Sequence, residues 1–409
     1  MTNPKDEHGL IWLGGVSYLL LGVTEVIIGS LLPELLKFYG KNYSNGGVLI
    51  FSQFIGFLLG VLISPWCVRR FGRRNVLLLA FLSLGVAQFS VSKLPHWYIF
   101  QLVIPISGLG LGIIQSTVGA LILELIKHKQ SKAMSKLEVF FGLGSLLMPF
   151  VVSMLIKKQI WSWSFTIVSI AALIMAILWK WYPFGEYNDY LKEKQLHAQK
   201  NKMKVTNSKR NCSLLIIFVL FFFLYVGIEV SISNYIPSIF IEKFKISNSF
   251  ATLSVAVFWS AMVIGRALTG VISAKISYSL FLNRSNIGTF LILIFLAVIP
   301  DVQISFILVV LIGLFMSGIF AIALLLANQT LQGSTQQTSS LLIASAGSGG
   351  AVLPLFIGWC LDTFSYQATL WILAAFALLM NVFMVLVHKF SVSATKNEGL
   401  ASLNAVKEN

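Results

Sequence analysis

The sequence predicts an all-α polytopic membrane protein, with twelve transmembrane helices arranged as two pseudo-symmetric six-helix bundles. Three observations carry this prediction. Of the 409 residues, 57% are hydrophobic and only 11% charged, with a mean hydropathy of +0.84, whereas a soluble domain carries about 25% charged residues. Apolar runs long enough to cross a bilayer recur along the whole chain. The two halves of the chain also repeat one another at a fixed offset.

A helix of about 20 residues covers a hydrocarbon layer of ~30 Å. By that measure the spans fall at 10–33, 46–67, 75–92, 98–126, 137–156, 163–182, 212–236, 250–273, 286–300, 303–327, 339–361 and 366–388. The ninth is short, and its separation from the tenth rests on Pro300-Asp301. The one long polar stretch, Pro183 to Asn211, is rich in Lys, Gln, Asn and Glu and divides the chain near its middle. The expected organisation is therefore an N-terminal bundle over 1–182, a cytoplasmic linker over 183–211, a C-terminal bundle over 212–390 and a cytoplasmic tail over 391–409.

Charge sets the expected orientation. With both termini on one side, 22 of the 30 Lys and Arg residues lie on that side, among them Arg69, Arg70, Arg73, Arg74 and eight residues of the central loop. Only seven lie opposite: Lys37, Lys41, Lys93, Lys157, Lys158, Lys243 and Lys245. Cytoplasmic loops carry such an excess, so both termini are expected in the cytoplasm and the protein in the plasma membrane. The net charge of +15 then reflects topology and attraction to lipid headgroups rather than a nucleic-acid partner.

Several functional classes find no support. No G-x-x-x-x-G-K-[ST] occurs, so no ATP-driven pump is expected in this chain. The cluster Gly108, Gly110 and Gly112 and the run Gly347-Ser-Gly349-Gly350 lie inside apolar segments with no strand before them, which reads as close helix packing. The five histidines stand at predicted span ends or in loops; Cys67, Cys212 and Cys360 lack metal-ligand spacing, and with the first two expected on the cytoplasmic side and the third outside, no disulfide is expected. No nucleophile–base set appears. A cofactor, a metal and an enzymatic activity are not expected. Met1 to His8 is mixed in charge and is not expected to open a cleavable signal. The chain is expected to act as a monomer.

The repeat supplies the next step. An offset of 204 residues lays Glu25, Val26 and Pro33 on Glu229, Val230 and Pro237. An offset of 205 lays Gly142, Gly144 and Pro149 on Gly347, Gly349 and Pro354, and Gly108 on Gly313. Two parallel halves related about the membrane normal are the pattern of a carrier that binds its solute near mid-bilayer between them.

Ionisable residues within spans are costly and mark function by default. Glu25 and Glu229 stand at equivalent depths in the first and seventh spans. A carboxylate facing a low-dielectric cavity can load and release a proton, so both are candidates for proton coupling; hydrogen-bonded glue between helices is the alternative. Glu138 opens the fifth span, and Arg266 lies about two turns from the cytoplasmic end of the eighth. The two spans face each other in a 6+6 carrier, so Glu138 and Arg266 are expected to pair as an inner gate while the outer side is open. Snorkelling of Arg266 to the headgroups is the alternative. Glu124 reads as a solvated helix end beside Lys127 and His128. Gln53, Gln115, Asn234, Tyr235, Trp259 and Asn328 complete a candidate substrate cavity: amides bond hydroxyls, and an aromatic face suits either a sugar ring or an amphipathic cation.

Named segments carry a family resemblance. Val68-Arg-Arg-Phe-Gly-Arg-Arg-Asn-Val-Leu is similar to the loop 2–3 signature of the major facilitator superfamily, with Arg69 where the signature has its acidic residue. Met134-Ser-Lys-Leu-Glu-Val-Phe-Phe-Gly-Leu-Gly144, Phe223-Leu-Tyr-Val-Gly-Ile-Glu229, Phe258-Trp-Ser-Ala-Met-Val-Ile-Gly-Arg266 and Ile343-Ala-Ser-Ala-Gly-Ser-Gly-Gly350 together resemble the bacterial glucose/mannose:proton symporter branch of the fucose–galactose–glucose symporter family. The resemblance implies uptake of a hexose with a proton, with Glu138, Glu229 and Arg266 at matched positions. Two departures stand out: Gln115 replaces a glutamate that follows the glycine run, and Glu25 lies a turn earlier than in the fucose type. Proton-coupled efflux of a drug or metabolite is the alternative activity on the same fold.

Overall fold

The computed structural model describes residues 4–126, 130–185, 209–331 and 335–407. Among the described residues every regular element is a helix. They are α1 (Pro4–Tyr39), α2 (Tyr43–Phe71), α3 (Arg73–Ser92), α4 (Trp97–Leu125), α5 (Gln130–Lys157), α6 (Trp163–Trp181), α7 (Lys209–Phe244), α8 (Asn248–Ser273), α9 (Tyr278–Val298), α10 (Val302–Met316), α11 (Ile319–Thr330), α12 (Thr335–Thr363) and α13 (Tyr366–Lys407). With α10 and α11 joined as one crossing, twelve spans are long and apolar enough to traverse a bilayer. An even number of crossings puts both termini on one side.

Each expected span has its helix, and most helices run longer than the apolar stretch that announced them. Hydropathy marks only the part of a helix that sits in hydrocarbon. The ninth span shows this most clearly. It starts at Tyr278 rather than 286, because Ser277 caps it by accepting a bond from the Leu280 amide at 3.3 Å. The polar run Asn283-Arg284-Ser285-Asn286 therefore lies inside the helix. At its far end Asp301 accepts from the Ile304 amide at 2.8 Å and starts α10, which confirms the division at Pro300-Asp301. Gly72, at φ +79°, makes the turn between α2 and α3 that a side chain would strain.

The repeat seen in the sequence is reproduced in the packing. A Cβ on Gly144 of α5 would strike the Leu19 carbonyl of α1, and one on Gly349 of α12 would strike the Phe223 carbonyl of α7. Likewise Gly108 of α4 presses on the Gln53 carbonyl of α2, and Gly313 of α10 on the Phe258 carbonyl of α8. Each glycine and the carbonyl it meets have moved by the same 204 or 205 residues. Lipid is as apolar as leucine, so helices associate here through close van der Waals approach, which small residues permit.

Between the halves, α2 packs on α12, α5 on α8 and α1 on α7. At the end opposite the termini these pairs are stitched together. Ser153 and Ser249 hydroxyls meet at 3.0 Å, Asn248 donates to Glu34 at 2.8 Å, and Thr252 donates to the Ser30 carbonyl at 3.1 Å. Asp362 accepts from the Tyr43 and Ser44 amides at 2.8 and 2.6 Å. Residues 227–240 of α7 form an unbroken buried run from the middle of the helix toward this end.

Candidate functional site between the halves

At mid-depth, four charged side chains from four helices converge. Arg266 of α8 lies 3.4 Å from the Glu229 carboxylate of α7 and 3.7 Å from the Glu138 carboxylate of α5. Glu25 of α1 is within electrostatic reach of all three. Glu25 and Glu229 are repeat-related, so the duplication places them on either side of the boundary. One guanidinium thus bridges two carboxylates, with a third, Glu25, nearby.

Accessibility divides these groups. Glu229 is 11% exposed, whereas Arg266 and Glu138 are 31% and 49% exposed although protein surrounds them. Arg266 and Glu138 thus stay accessible between α5 and α8, while the end opposite the termini is bonded across the boundary. The Glu138–Arg266 contact therefore exists with the far end closed, and Arg266 shares itself with Glu229 rather than pairing with one acid. Arg266 does not snorkel alone.

Aromatic groups line the same region. The Arg266 guanidinium stands 5.7 Å from the centre of the Trp259 ring, a cation–π arrangement. Phe141 meets that ring edge-on at 5.8 Å, and the Trp259 indole N–H donates to the Ser233 hydroxyl at 2.9 Å. Trp259 is thereby fixed between the two halves. Tyr225, one turn before Glu229, donates to the Met316 carbonyl at 3.0 Å.

The other candidate residues separate into two groups. Gln53 donates to the Thr24 carbonyl at 3.5 Å, beside Glu25. Asn234 packs against Gly29, one turn beyond Glu25, and its amide donates to its own helix at Val230, 2.8 Å away. Gln115 is joined to Tyr18 of α1 through its main chain, whose carbonyl accepts from the Tyr18 hydroxyl at 3.3 Å. Tyr235 instead sits in the seal, donating to the Tyr43 carbonyl at 3.2 Å. Asn328 bonds Ser339 at 2.9 Å, between α11 and α12. Glu124 is not merely solvated: it pairs with Arg73. The neighbouring Lys127 and His128 lie outside the described residues.

Nothing in the sequence alone singles out Tyr18, Phe141 or Ser233. Tyr225 does carry a signal, since it lies four residues before Glu229 on the same helical face. Among the described residues no group of His, Cys, Asp and Glu could hold a metal ion, and the three cysteines are free thiols.

Comparison with known proteins finds relatives along nearly the whole chain. The sequence profile of the Major Facilitator Superfamily matches residues 14–336. The chain is 31% identical over 407 residues to the glucose/mannose transporter GlcP of Bacillus subtilis (strain 168), covering 97% of this chain and 98% of that one. Among solved structures it is similar to a D-xylose-proton symporter, with a TM-score of 0.72 at 20% identity over 91% of this chain and 96% of the other. It is similar also to the nucleoside transporter NupG (D323A mutant), with a TM-score of 0.76 at 11% identity over 93% and 99% of the two chains.

Proposed function

The chain belongs to the major facilitator superfamily, a family of membrane transporters, and from that premise we propose that it takes up a hexose together with a proton by alternating access. The observation that carries the proposal is the sharing of Arg266 by Glu138 and Glu229 at the boundary of the halves, with Glu25 close to them. Three carboxylates against one guanidinium leave an excess of negative charge in a low-dielectric setting, and such a site is relieved by taking up a cation. A proton can be accepted from one side and released to the other as the site changes its exposure. The 31% identity to a glucose/mannose transporter over nearly the full chain supports a hexose as the solute, and the likeness to a xylose–proton symporter supports this fold for such coupling.

In this reading Glu229 and Glu25 carry the proton, and Trp259 offers an aromatic face to the C–H surface of the sugar. Gln53, Gln115 and Asn234 offer amides for its hydroxyls. Glu138 and Arg266 tie α5 to α8. By the positive-inside rule the end with the termini is cytoplasmic, which makes the structure one with its outer side closed.

The test is uptake of labelled glucose in cells that lack other hexose carriers, with and without a protonophore. Concentrative uptake that the protonophore abolishes is the expected result. No glucose uptake, together with altered accumulation of dyes or antibiotics, would overturn it in favour of efflux.

A further inference from the structure

The N-terminus of α2 is capped twice, once by its own half and once by the other. Asn42, the local cap, accepts from the Asn45 amide at 3.1 Å. The first two amides of the helix, those of Tyr43 and Ser44, are left over by that cap. They donate instead to the two carboxylate oxygens of Asp362, on α12 of the C-terminal half, at 2.8 and 2.6 Å. The Ser44 hydroxyl donates to the same carboxylate. A carboxylate at a helix N-terminus satisfies orphan donors and opposes the positive end of the helix dipole.

Tyr43 is held by the opposite half at every polar atom it has. Its amide goes to Asp362, its hydroxyl donates to Glu242 at 3.0 Å, and its carbonyl accepts from Tyr235 at 3.2 Å. Gly358 of α12 comes so near that an added Cβ would lie 2.5 Å from that carbonyl oxygen. Nothing in the local fold of α2 requires these partners. They exist only while α2 is together with α7 and α12 of the other half.

We propose that Asp362 is a positioning residue that latches the end of the bundle opposite the termini, by capping α2 across the boundary of the two halves. The local cap at Asn42 persists throughout the transport cycle, whereas the Asp362 cap breaks each time this end opens. Closure is thereby tied to two backbone donors that have no protein partner once the halves separate. The inference rests on the alternating-access reading for its role in transport but not on the identity of the solute or of the coupling ion.

The test reads the seal directly. In protein whose Cys67, Cys212 and Cys360 are replaced by serine, Ser30→Cys places a thiol at a position that is fully buried in the closed seal. Its reaction with a soluble maleimide, in purified full-length protein, then follows the population with this end open. Helix caps contribute enough that adding Asp362→Ala is expected to raise the labelling rate roughly three- to tenfold. Adding Asn42→Ala, which weakens the same helix end from within its own half, is expected to leave the rate unchanged. An unchanged rate with Asp362→Ala would overturn the proposal, as would an equal rise with Asn42→Ala. A chain that takes up no hexose would still show the labelling difference, so the two readings fail separately.

Discussion

At the scale of single residues, the site is governed by one cation among three acids. Replacing Glu229 by Gln keeps its shape and its contact with Arg266 but removes a protonatable group. The expected outcome is that concentrative uptake falls to the level seen with a protonophore, while exchange of labelled for unlabelled sugar persists. Concentrative uptake that survived would remove Glu229 from the coupling role. Trp259 allows a graded test. Trp259→Phe keeps a ring against Phe141 and Arg266 but loses the bond to Ser233. The bond to Ser233 positions the ring rather than holding sugar, so Trp259→Phe is expected to raise KM only slightly; Trp259→Ala, which removes the aromatic face, should raise it much further. An unchanged KM in both variants would place Trp259 outside the sugar's path. The charged members of this site are legible in the sequence because an ionisable residue in an apolar span is conspicuous. Tyr18, Phe141 and Ser233 are not, since aromatic and small polar residues are common in membrane helices and only the fold shows which of them face inward. Tyr235 departs from expectation for the same reason: its span and depth are legible, but its direction, toward Tyr43 rather than toward Glu25, depends on helix rotation.

At the scale of elements, the repeat is legible as a pattern of glycines, but its cause is visible only in the packing. Gly144 and Gly349 meet repeat-related carbonyls, those of Leu19 and Phe223. Alanine at either position forces two helices apart, and overpacking of this kind costs about 1–3 kcal/mol. Both variants are therefore expected to lower the thermal unfolding temperature in detergent. At Gly270, by contrast, an added Cβ would meet nothing within 4 Å, so Gly270→Ala should leave the temperature unchanged or raise it slightly. Equal effects at all three positions would show that backbone approach is not what the shared offset encodes in this chain. The helix ends are the least legible feature, for a related reason. A cap such as Ser277 lies outside the apolar run and is read correctly only once the helix it starts is known.

At the scale of the whole molecule, two halves that must part at one end and then the other cannot work when one end is tied shut. The sequence reveals that there are two halves and which side the positive charge favours. It does not reveal which end is closed, because the seal is made of serines, a threonine, an asparagine, tyrosines and carboxylates scattered from Ser30 to Asp362 that meet their partners across the boundary. Of these pairs, the nearest to a ready-made lock is Ser153 on α5 with Ser249 on α8, whose hydroxyls lie 3.0 Å apart on the same seal as the Glu34–Asn248 contact. Side chains that meet at this distance can be bridged by a disulfide with little backbone movement. In the cysteine-free background, Ser153→Cys with Ser249→Cys should form a disulfide under mild oxidation and trap the end opposite the termini in its closed state. Transport is then expected to fall to background and to recover on reduction, while either single cysteine leaves it near the parent level. Oxidised protein that is fully cross-linked and still transports at the parental rate would mean that α5 and α8 do not separate there, and the alternating-access mechanism drawn from this closed end would have to be abandoned.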